Sequence, residues 1–325
     1  MAPPGRLERR LPPGRSGRQS SGGPKARRRD RAGANMGACR PRGPPRRRQQ
    51  RLEPGGGPMD PTILVGIDGS VASRAAIAWA IARAGDLGAE VFLMNVVDDE
   101  WGTISDRDVR ELRSDAERLA ARELAFARQA TDGVPVSAGI DVGAPMLELA
   151  TSASAYESVV IGSHKTGSFH GHALGARGLQ LAAMSPVPVA VVTASAGNGR
   201  SGVVVGAGNA PGWIGAVRFA IQEAARLGQP LTVIRSDRDL PFDDRSLSRL
   251  TDAAGEASTV DVVLRRSTAP AGQALADASG RAVLTVSGRP TEPGARGFRP
   301  LGRTNSELLL NAGGPVVIVP HSTAQ

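Results

Sequence analysis

A glycine-rich loop that precedes a helix-like segment is the part of this sequence best suited to chemistry. The loop spans residues 162–176 and reads GSHKTGSFHGHALGA. Glycine lets backbone N–H groups approach phosphate oxygens, and the N-terminus of a following helix favours negative charge. An acidic residue, Asp68, directly follows a separate apolar run at residues 63–67. Together these features predict a binding site for a phosphorylated ligand.

Alternating strand-like and helix-like segments must position this loop and Asp68. Apolar runs of strand length alternate with longer segments of helical character. The predicted strands are 63–67, 90–97, 134–140, 159–161 and 187–192, and the predicted helices are 72–87, 105–130, 145–156 and 174–184. This order predicts a doubly wound parallel sheet, and the continuous apolar strands indicate helices on both faces. Ligands bind such sheets beyond the carboxyl ends of the strands, where Asp68 and the loop both fall.

The same pattern begins again after a polar linker at residues 194–201, which predicts a duplicated domain. Both copies open on a similar strand, share a Leu-Gly pair at the same distance from a proline, and close on a valine-rich strand. The matched segments are 63–66 with 203–206, 174–175 with 301–302, and 188–192 with 315–319. Aligned in this way, Gly208 corresponds to Asp68 and Ser287 to Gly162. We therefore predict tandem α/β domains at 59–194 and 202–320, each a Rossmann-like, doubly wound five-stranded sheet, with the second copy degenerate.

The N-terminal residues 1–58 differ in composition from the rest of the chain. They hold 16 Lys/Arg and 3 Asp/Glu. The net positive charge of this segment alone is therefore larger than the net charge of +9 of the whole chain. A segment rich in Arg, Pro and Gly and poor in aliphatic residues cannot form a core, so we predict a disordered tail. Two interpretations stay open: a basic arm for nucleic acid or an anionic surface, or a tail without function, as it would be if translation begins at Met59. The tail has no aromatic residues for base stacking, which favours the second interpretation.

Several motifs of the first copy resemble those of the universal stress protein family. They are VGIDGS at 65–70, the strand around Val96, GAP at 143–145, the spaced glycines of 162–176, and SPVPV at 185–189. Nucleotide-binding members of that family carry Gly, two residues, Gly, nine residues, and then Gly followed by Ser or Thr. This chain keeps the spacing with Gly162, Lys165, Gly175 and Ala176. The resemblance implies a tandem protein of this family, with fainter motifs in the second copy.

The resemblance also implies a nucleotide site in the first copy. Asp68, with Gly69 and Ser70, would face the nucleoside, and Val96 would offer backbone groups to adenine. Residues of the glycine-rich loop would hold the phosphates of ATP, accompanied by Mg²⁺. The implied loop residues are Gly162, Ser163, His164, Lys165, Gly175 and Ala176.

Two positions of the loop depart from the family pattern. Lys165 stands where the family has glycine, and Ala176 stands where it has a hydroxyl residue. The side chain of Lys165 would obstruct a close backbone approach, or its ammonium group would reach a phosphate directly. Ala176 removes a hydrogen-bond donor worth about 1 kcal/mol. Two interpretations therefore remain, an ATP-binding loop or a vestigial loop that only connects a strand to a helix.

Other clusters of reactive side chains indicate no further chemistry. His164, His170 and His172 share the loop, but their spacing matches no standard zinc site, so we predict no metal site. The sequence has no nucleophile elbow and no Walker lysine. We expect a binding protein and not an enzyme, with slow ATP hydrolysis at most.

Three hypotheses of function follow from the sequence. The first is a nucleotide-responsive regulatory protein in stress tolerance, and the second is an interaction scaffold of the same fold that binds no nucleotide. The third, nucleic-acid association through the basic tail, is disfavoured. The valine-rich fifth strands are predicted to pair, within one chain as a pseudo-dimer or between chains as a homodimer. Because no apolar run approaches about 20 residues and Cys39 is the single cysteine, we expect a cytoplasmic protein that does not enter membranes.

Overall fold

The fold is known from a computed structural model of the chain. It describes residues 61–98, 106–163, 176–194, 199–208, 213–238, 252, 260–289 and 301–321. The predicted tail of residues 1–58 lies outside these ranges, as do His164, Lys165 and Gly175 of the predicted phosphate loop. All described residues belong to one compact unit, residues 55–325.

The first half of this unit contains five strands and four helices among its described residues. The strands are β1 (Thr62–Gly66), β2 (Glu90–Val97), β3 (Val136–Val142), β4 (Ser158–Ser163) and β5 (Val189–Thr193). The helices are α1 (Val71–Leu87), α2 (Asp106–Gln129), α3 (Pro145–Ser152) and α4 (Ala176–Met184). The predicted helix at 145–156 is shorter than expected, because the backbone after Ser152 tightens into a 3-10 turn at Ala153–Ala155.

The second half repeats this order of strands, with a shorter first strand and a shorter first helix. Its described strands are β6 (Val203–Gly206), β7 (Leu231–Ser236), β8 (Val262–Ser267), β9 (Leu284–Arg289) and β10 (Val316–Pro320). Its described helices are α5 (Trp213–Leu227), α6 (Ala271–Ser279) and α7 (Arg303–Asn311). None of the helices in the described ranges is long and apolar enough to cross a bilayer.

The ten described strands form one continuous sheet in the order β3-β2-β1-β4-β5-β10-β9-β6-β7-β8. Within each half the strands are parallel, which confirms the two predicted doubly wound five-stranded halves. The halves join where β5 and β10 pair antiparallel, with Ala190 opposite Val317. The predicted pairing of the fifth strands therefore occurs within one chain, as a pseudo-dimer.

Helices cover both faces of the sheet, as the continuous apolar strands predicted. One face buries alanines of α1 and α5 against the strands, among them Ala76, Ala80, Ala216 and Ala220. The small side chains let these helices lie close to the sheet. The opposite face is packed by α3, α4, α6 and α7 through leucines such as Leu149, Leu181, Leu275 and Leu308.

The sheet register corrects the predicted alignment of the two copies. Val65 of β1 lies opposite Val160 of β4, and Val205 of β6 lies opposite Val286 of β9. Two residues further along, Gly162 therefore corresponds to Gly288. The predicted match with Ser287 was wrong by one residue, because strand pairing, and not the length of the following loop, fixes equivalent positions in a sheet.

An arginine of the second half also holds the end of a helix of the first. Arg289, at the end of β9, donates from Nη1 to the carbonyl oxygen of Ala183 at 2.7 Å and from Nη2 to that of Ser185 at 2.7 Å. These carbonyls belong to the C-terminal end of α4, which a cation stabilises. Burial lowers the pKa of Arg289 from its usual value.

Candidate functional site

A cleft of about 560 Å³ opens at the carboxyl ends of β1, β2 and β4 in the first half. This is the edge of a doubly wound sheet at which ligands bind, and the volume lies within the range of small-molecule sites. The apolar part of its wall comes from Ile67, Met94, Val96, Met146, Leu149, Ile161, Val191 and Leu309. The polar and small residues are Gly66, Asp68, Ser73, Asn95, Asp98, Gly162, Ser163, Arg177 and Gly178.

Asp68 stands in the turn that leads from β1 into α1, and it lines the cleft. Its Oδ1 accepts a hydrogen bond from the backbone N–H of Ser70 at 3.0 Å. Ser70 caps α1, since its Oγ accepts from the N–H of Ser73 at 3.1 Å. Gly69 has φ +75°, a conformation that favours glycine. The predicted triplet Asp68-Gly69-Ser70 is thus a turn that exposes one carboxylate to the cleft.

A buried glutamate of α2 supports this turn from behind. The carboxylate of Glu123 accepts from Arg74 Nε at 2.9 Å and from Arg122 Nε at 3.1 Å. Burial disfavours the charged carboxylate, but the hydrogen bonds from Arg74 and Arg122 outweigh it and hold the pKa of Glu123 below its usual value. Arg122 also lies over Gly69, where a Cβ atom would come within 2.8 Å of its Nη2. Helix α2 therefore fixes the position of the turn.

Val96 lies where β2 extends beyond the end of β1. The N–H of Ile67 donates to the carbonyl oxygen of Met94 at 2.9 Å, whereas Val97 accepts from Gly143 on the opposite side. Because peptide groups along a strand alternate in direction, the N–H and C=O of Val96 point to the β1 side, as those of Met94 do. Beside Val96 the chain that follows β1 has already turned toward α1. The N–H and C=O of Val96 therefore point into the cleft. Asn95 fixes this edge by donating from Nδ2 to the carbonyl oxygen of Ile67 at 2.8 Å.

Gly162 lies at the end of β4 and directly beneath the first turn of α1. A Cβ atom at this position would lie 2.6 Å from the backbone nitrogen of Ser73, and closer still to the carbonyl group of Ala72. The glycine is therefore required for α1 to cross the strand. Ser163 follows Gly162 in β4 and lies opposite Thr193 of β5. It is buried and lines the cleft.

The start of α4 closes the other side of the cleft. Arg177 is exposed, and Gly178 beside it adds no side chain to the wall. Ala176 is the first residue of α4, but its side chain lies outside the described part of the chain, as do the predicted phosphate residues His164, Lys165 and Gly175. Of the ten predicted site residues, the described structure gathers Asp68, Val96, Gly162 and Ser163 at the cleft, with Gly69 and Ser70 forming the turn.

In the second half a side chain occupies the position that corresponds to Gly178 of the cleft. Asn305 occupies the third position of α7, which Gly178 occupies in α4. Its Oδ1 accepts from Ser287 Oγ at 2.6 Å, and its Nδ2 donates to the carbonyl oxygen of Gly288 at 3.0 Å. Asn305 is 4% exposed. The amide group of Asn305 therefore occupies the space at the end of β9. The end of β9 corresponds to the end of β4 in the first half.

A second contact of the second half lies in the same region. Gly272 is the second residue of α6, as Met146 is of α3. A Cβ atom at Gly272 would lie 2.7 Å from Glu307 Oε2 and 2.9 Å from the carbonyl oxygen of Thr304. Helices α6 and α7 thus pack against each other, whereas Met146 and Gly178 line open space in the first half.

Sequence reasoning missed several residues of the cleft. Arg177 was detectable as a basic residue in the first turn after the spaced glycines, a common place for an anion partner. Asn95 and Asp98 flank the predicted Val96, but no motif marks them. Leu309 comes from α7 of the second half, and no pattern within one copy could have assigned it to this wall.

Comparison with known proteins finds its sequence similarity in the first half. Residues 59–193 match the model of the universal stress protein family. A universal stress protein of Mycobacterium tuberculosis, strain H37Rv, is 31% identical over 139 residues, which is 42% of this chain and 47% of that protein. The match thus spans about half the length of the curated relatives.

Solved structures extend the comparison to both halves. A universal stress protein from Archaeoglobus fulgidus covers 82% of this chain and 98% of its own, with a TM-score of 0.66 and 18% identity, which shows the shared fold. A universal stress protein family protein from Arabidopsis thaliana was solved with AMP bound. It covers 43% of this chain and 96% of its own at 18% identity, with a TM-score of 0.30.

Proposed function

We propose that the first half of this chain, whose residues 59–193 match the model of the universal stress protein family, binds an adenine nucleotide, ATP with Mg²⁺ or a related one. The observation that carries the proposal is the cleft at the ends of β1, β2 and β4, lined by Asp68, Val96 and Gly162. Occupancy would change the stability and the partner surface of the pseudo-dimer. The protein would act in stress tolerance as a ligand-responsive regulator.

The polar groups of the cleft suit the parts of a nucleotide. The backbone N–H and C=O of Val96 offer one donor and one acceptor, which an adenine edge can satisfy. The carboxylates of Asp68 and Asp98 accept hydrogen bonds from ribose hydroxyls, as acidic residues do in other dinucleotide-binding sheets. Apolar side chains such as Met146 and Leu149 supply the contact area that a flat base buries.

Phosphates would lie toward the start of α4. The N-terminus of this helix favours negative charge, and the guanidinium of Arg177 stands in its first turn. Arg177 would supply the interaction that Ala176, without a hydroxyl, does not. Mg²⁺ bound to the phosphates would offset the negative charge of the two neighbouring aspartates.

The described lining favours binding without chemistry. Its serines are Ser73 and Ser163, and no histidine or lysine among the described lining residues stands beside them as a base. A nucleophilic mechanism needs a hydroxyl paired with such a base. We therefore propose a binding protein, with ATP turnover slow if present.

The proposal predicts that ATP with Mg²⁺ raises the melting temperature of the protein. A ligand that binds only the folded state adds about 2.7 kcal/mol when it exceeds its dissociation constant a hundredfold. For a unit of this size that corresponds to a rise of roughly 5–10 °C. Differential scanning fluorimetry with millimolar ATP, AMP and GTP measures the effect, and the adenine nucleotides should give the larger rise.

Asp68→Ala should abolish most of this rise, because it removes the carboxylate at the cleft while leaving the apolar wall intact. Asp132→Ala is the matched control, since Asp132 is an exposed acid in the loop before β3. The control should keep the full rise. No shift for the unaltered protein at millimolar ATP would reject nucleotide binding and favour the second hypothesis, a scaffold without ligand.

A further inference from the structure

Helices α1 and α5 occupy equivalent positions in the two halves and meet across the face of the sheet that they share. Both end at a glycine in the left-handed conformation, Gly88 with φ +63° and Gly228 with φ +60°. Equivalent positions on the two helices therefore differ by 140 in number. This makes Trp79 the counterpart of Phe219, Arg83 of Glu223, and Asp86 of Arg226.

The two ion pairs between these helices each join a residue to its own counterpart. Nη1 of Arg83 donates to Oε1 of Glu223, and Nη1 of Arg226 donates to Oδ2 of Asp86. Contacts between counterparts are what a pseudo-two-fold axis between two similar halves produces. At both positions the charge in the first half is opposite to the charge in the second.

Further contacts link these pairs into one network. Arg83 Nη2 lies 3.0 Å from Glu157 Oε1, and Arg226 Nη2 lies 2.8 Å from Glu223 Oε2. The five side chains thus alternate in sign from Glu157 through Arg83, Glu223 and Arg226 to Asp86. Each positive group in the series contacts two negative ones.

The central pair is buried between aromatic rings. The side chains of Arg83 and Glu223 are each 4% exposed. The guanidinium of Arg83 lies 5.9 Å from the ring centre of Trp79. It lies 5.3 Å from the ring centre of Phe219, the counterpart of Trp79. In such a site each charge depends on the other, because an unpaired buried charge is strongly unfavourable.

We propose that this inversion of charge determines which halves pair: the α1 face of a first half accepts the α5 face of a second half and excludes a copy of itself. Pairing of two first halves around the same axis would place Arg83 against Arg83 and Asp86 against Asp86. Pairing of two second halves would place Glu223 against Glu223 and Arg226 against Arg226. Like charges at a buried contact oppose both arrangements, whereas the apolar β5 and β10 strands alone would permit them. The proposal is independent of nucleotide binding.

Single substitutions in the full-length protein reproduce each rejected contact within one chain. E223R places an arginine against Arg83, as two first halves would, and R83E places a glutamate against Glu223, as two second halves would. Both should lower the melting temperature by at least about 6 °C. The double variant R83M/E223M replaces the pair by apolar side chains of similar length and should melt within about 3 °C of the unaltered protein.

Circular dichroism melting curves and light scattering after size exclusion provide the measurements. R113E serves as a control, because Arg113 and Glu117 form an exposed pair on α2, and its melting temperature should barely change. If E223R fails to fold, the neutral variant E223M decides, since it leaves Arg83 without Glu223 and should melt below R83M/E223M. E223M melting at or above the temperature of R83M/E223M would then overturn the proposal. The proposal is overturned if E223R has the same melting temperature as the unaltered protein. It is also overturned if the melting temperature of R83M/E223M is as low as those of the two like-charged variants.

Discussion

Gly162→Ala should lower the free energy of unfolding by about 3 kcal/mol, at the upper end of the usual cost of overpacking. The added Cβ would lie 2.6 Å from the backbone nitrogen of Ser73, and backbone atoms cannot move aside as a flexible side chain can. Helix α1 would have to shift away from β4, which loosens the packing of both elements. Urea unfolding followed by circular dichroism measures the change.

Gly85→Ala is the matched control for this substitution. Gly85 lies in α1, and a Cβ there would meet only Val134 Cγ2 at an ordinary 3.6 Å. Alanine at such a position in a helix should stabilise the protein by about 0.5–1 kcal/mol. A loss below about 1 kcal/mol for Gly162→Ala would contradict the packing described for α1 and β4.

This first prediction separates two reasons for a glycine at position 162. The resemblance to the universal stress protein family attributes Gly162 to phosphate binding. The structure gives the residue a packing role that any chain of this fold needs, with or without a ligand. Gly66 differs, because a Cβ there would meet the side-chain atom Leu149 Cδ1 at 2.9 Å, which can move aside. A glycine in the motif is therefore weaker evidence for a nucleotide than the open cleft beside it.

Gly178→Asn should abolish the rise in melting temperature with ATP while leaving the fold intact. It introduces into α4 the residue that stands at the equivalent position of α7. There Asn305 bonds to Ser287 and to the carbonyl oxygen of Gly288. At position 178 the amide would reach toward the carbonyl oxygen of Gly162, the counterpart of Gly288. The side chain would then occupy the space proposed for the nucleotide.

Gly178→Ala is the control for this substitution. Its Cβ would lie 3.4 Å from Val191 Cγ2, a contact that needs little adjustment, and it would fill little of the cleft. Scanning fluorimetry with and without ATP should show a retained response for the alanine variant and none for the asparagine variant. An undiminished response in Gly178→Asn would place the ligand elsewhere in the molecule.

The sequence predicted the architecture well because the patterns it relied on are local. Continuous apolar runs gave the strands to within about two residues at most of their ends, and the duplicated openings at Ile63 and Val203 gave the two halves. Asp68 at the end of β1 and Gly162 at the end of β4 both line the cleft, since strand ends meet at one edge of a parallel sheet. The valine-rich strands at 188–192 and 315–319 anticipated the central pairing.

The features that sequence analysis missed all depend on distant contacts. Asn305 reads as an ordinary helix residue until its amide is seen to bond to the end of β9. Arg83 and Glu223 lie 140 positions apart, and each alone resembles a solvated charge on a helix. Leu309 reaches the cleft of the other half only because β5 and β10 bring α4 and α7 together. No spacing rule within one copy encodes such relations.

The proposed function puts one nucleotide in the first half of this protein and none in the second, where Asn305 stands in place of Gly178. Native mass spectrometry of the full-length protein with ATP and Mg²⁺ tests this directly by counting bound nucleotides on each chain. The account predicts one nucleotide on each chain of the unaltered protein and none on Gly178→Asn. Two nucleotides on each chain would contradict the absence of a nucleotide from the second half, and none at millimolar ATP would contradict the proposed function.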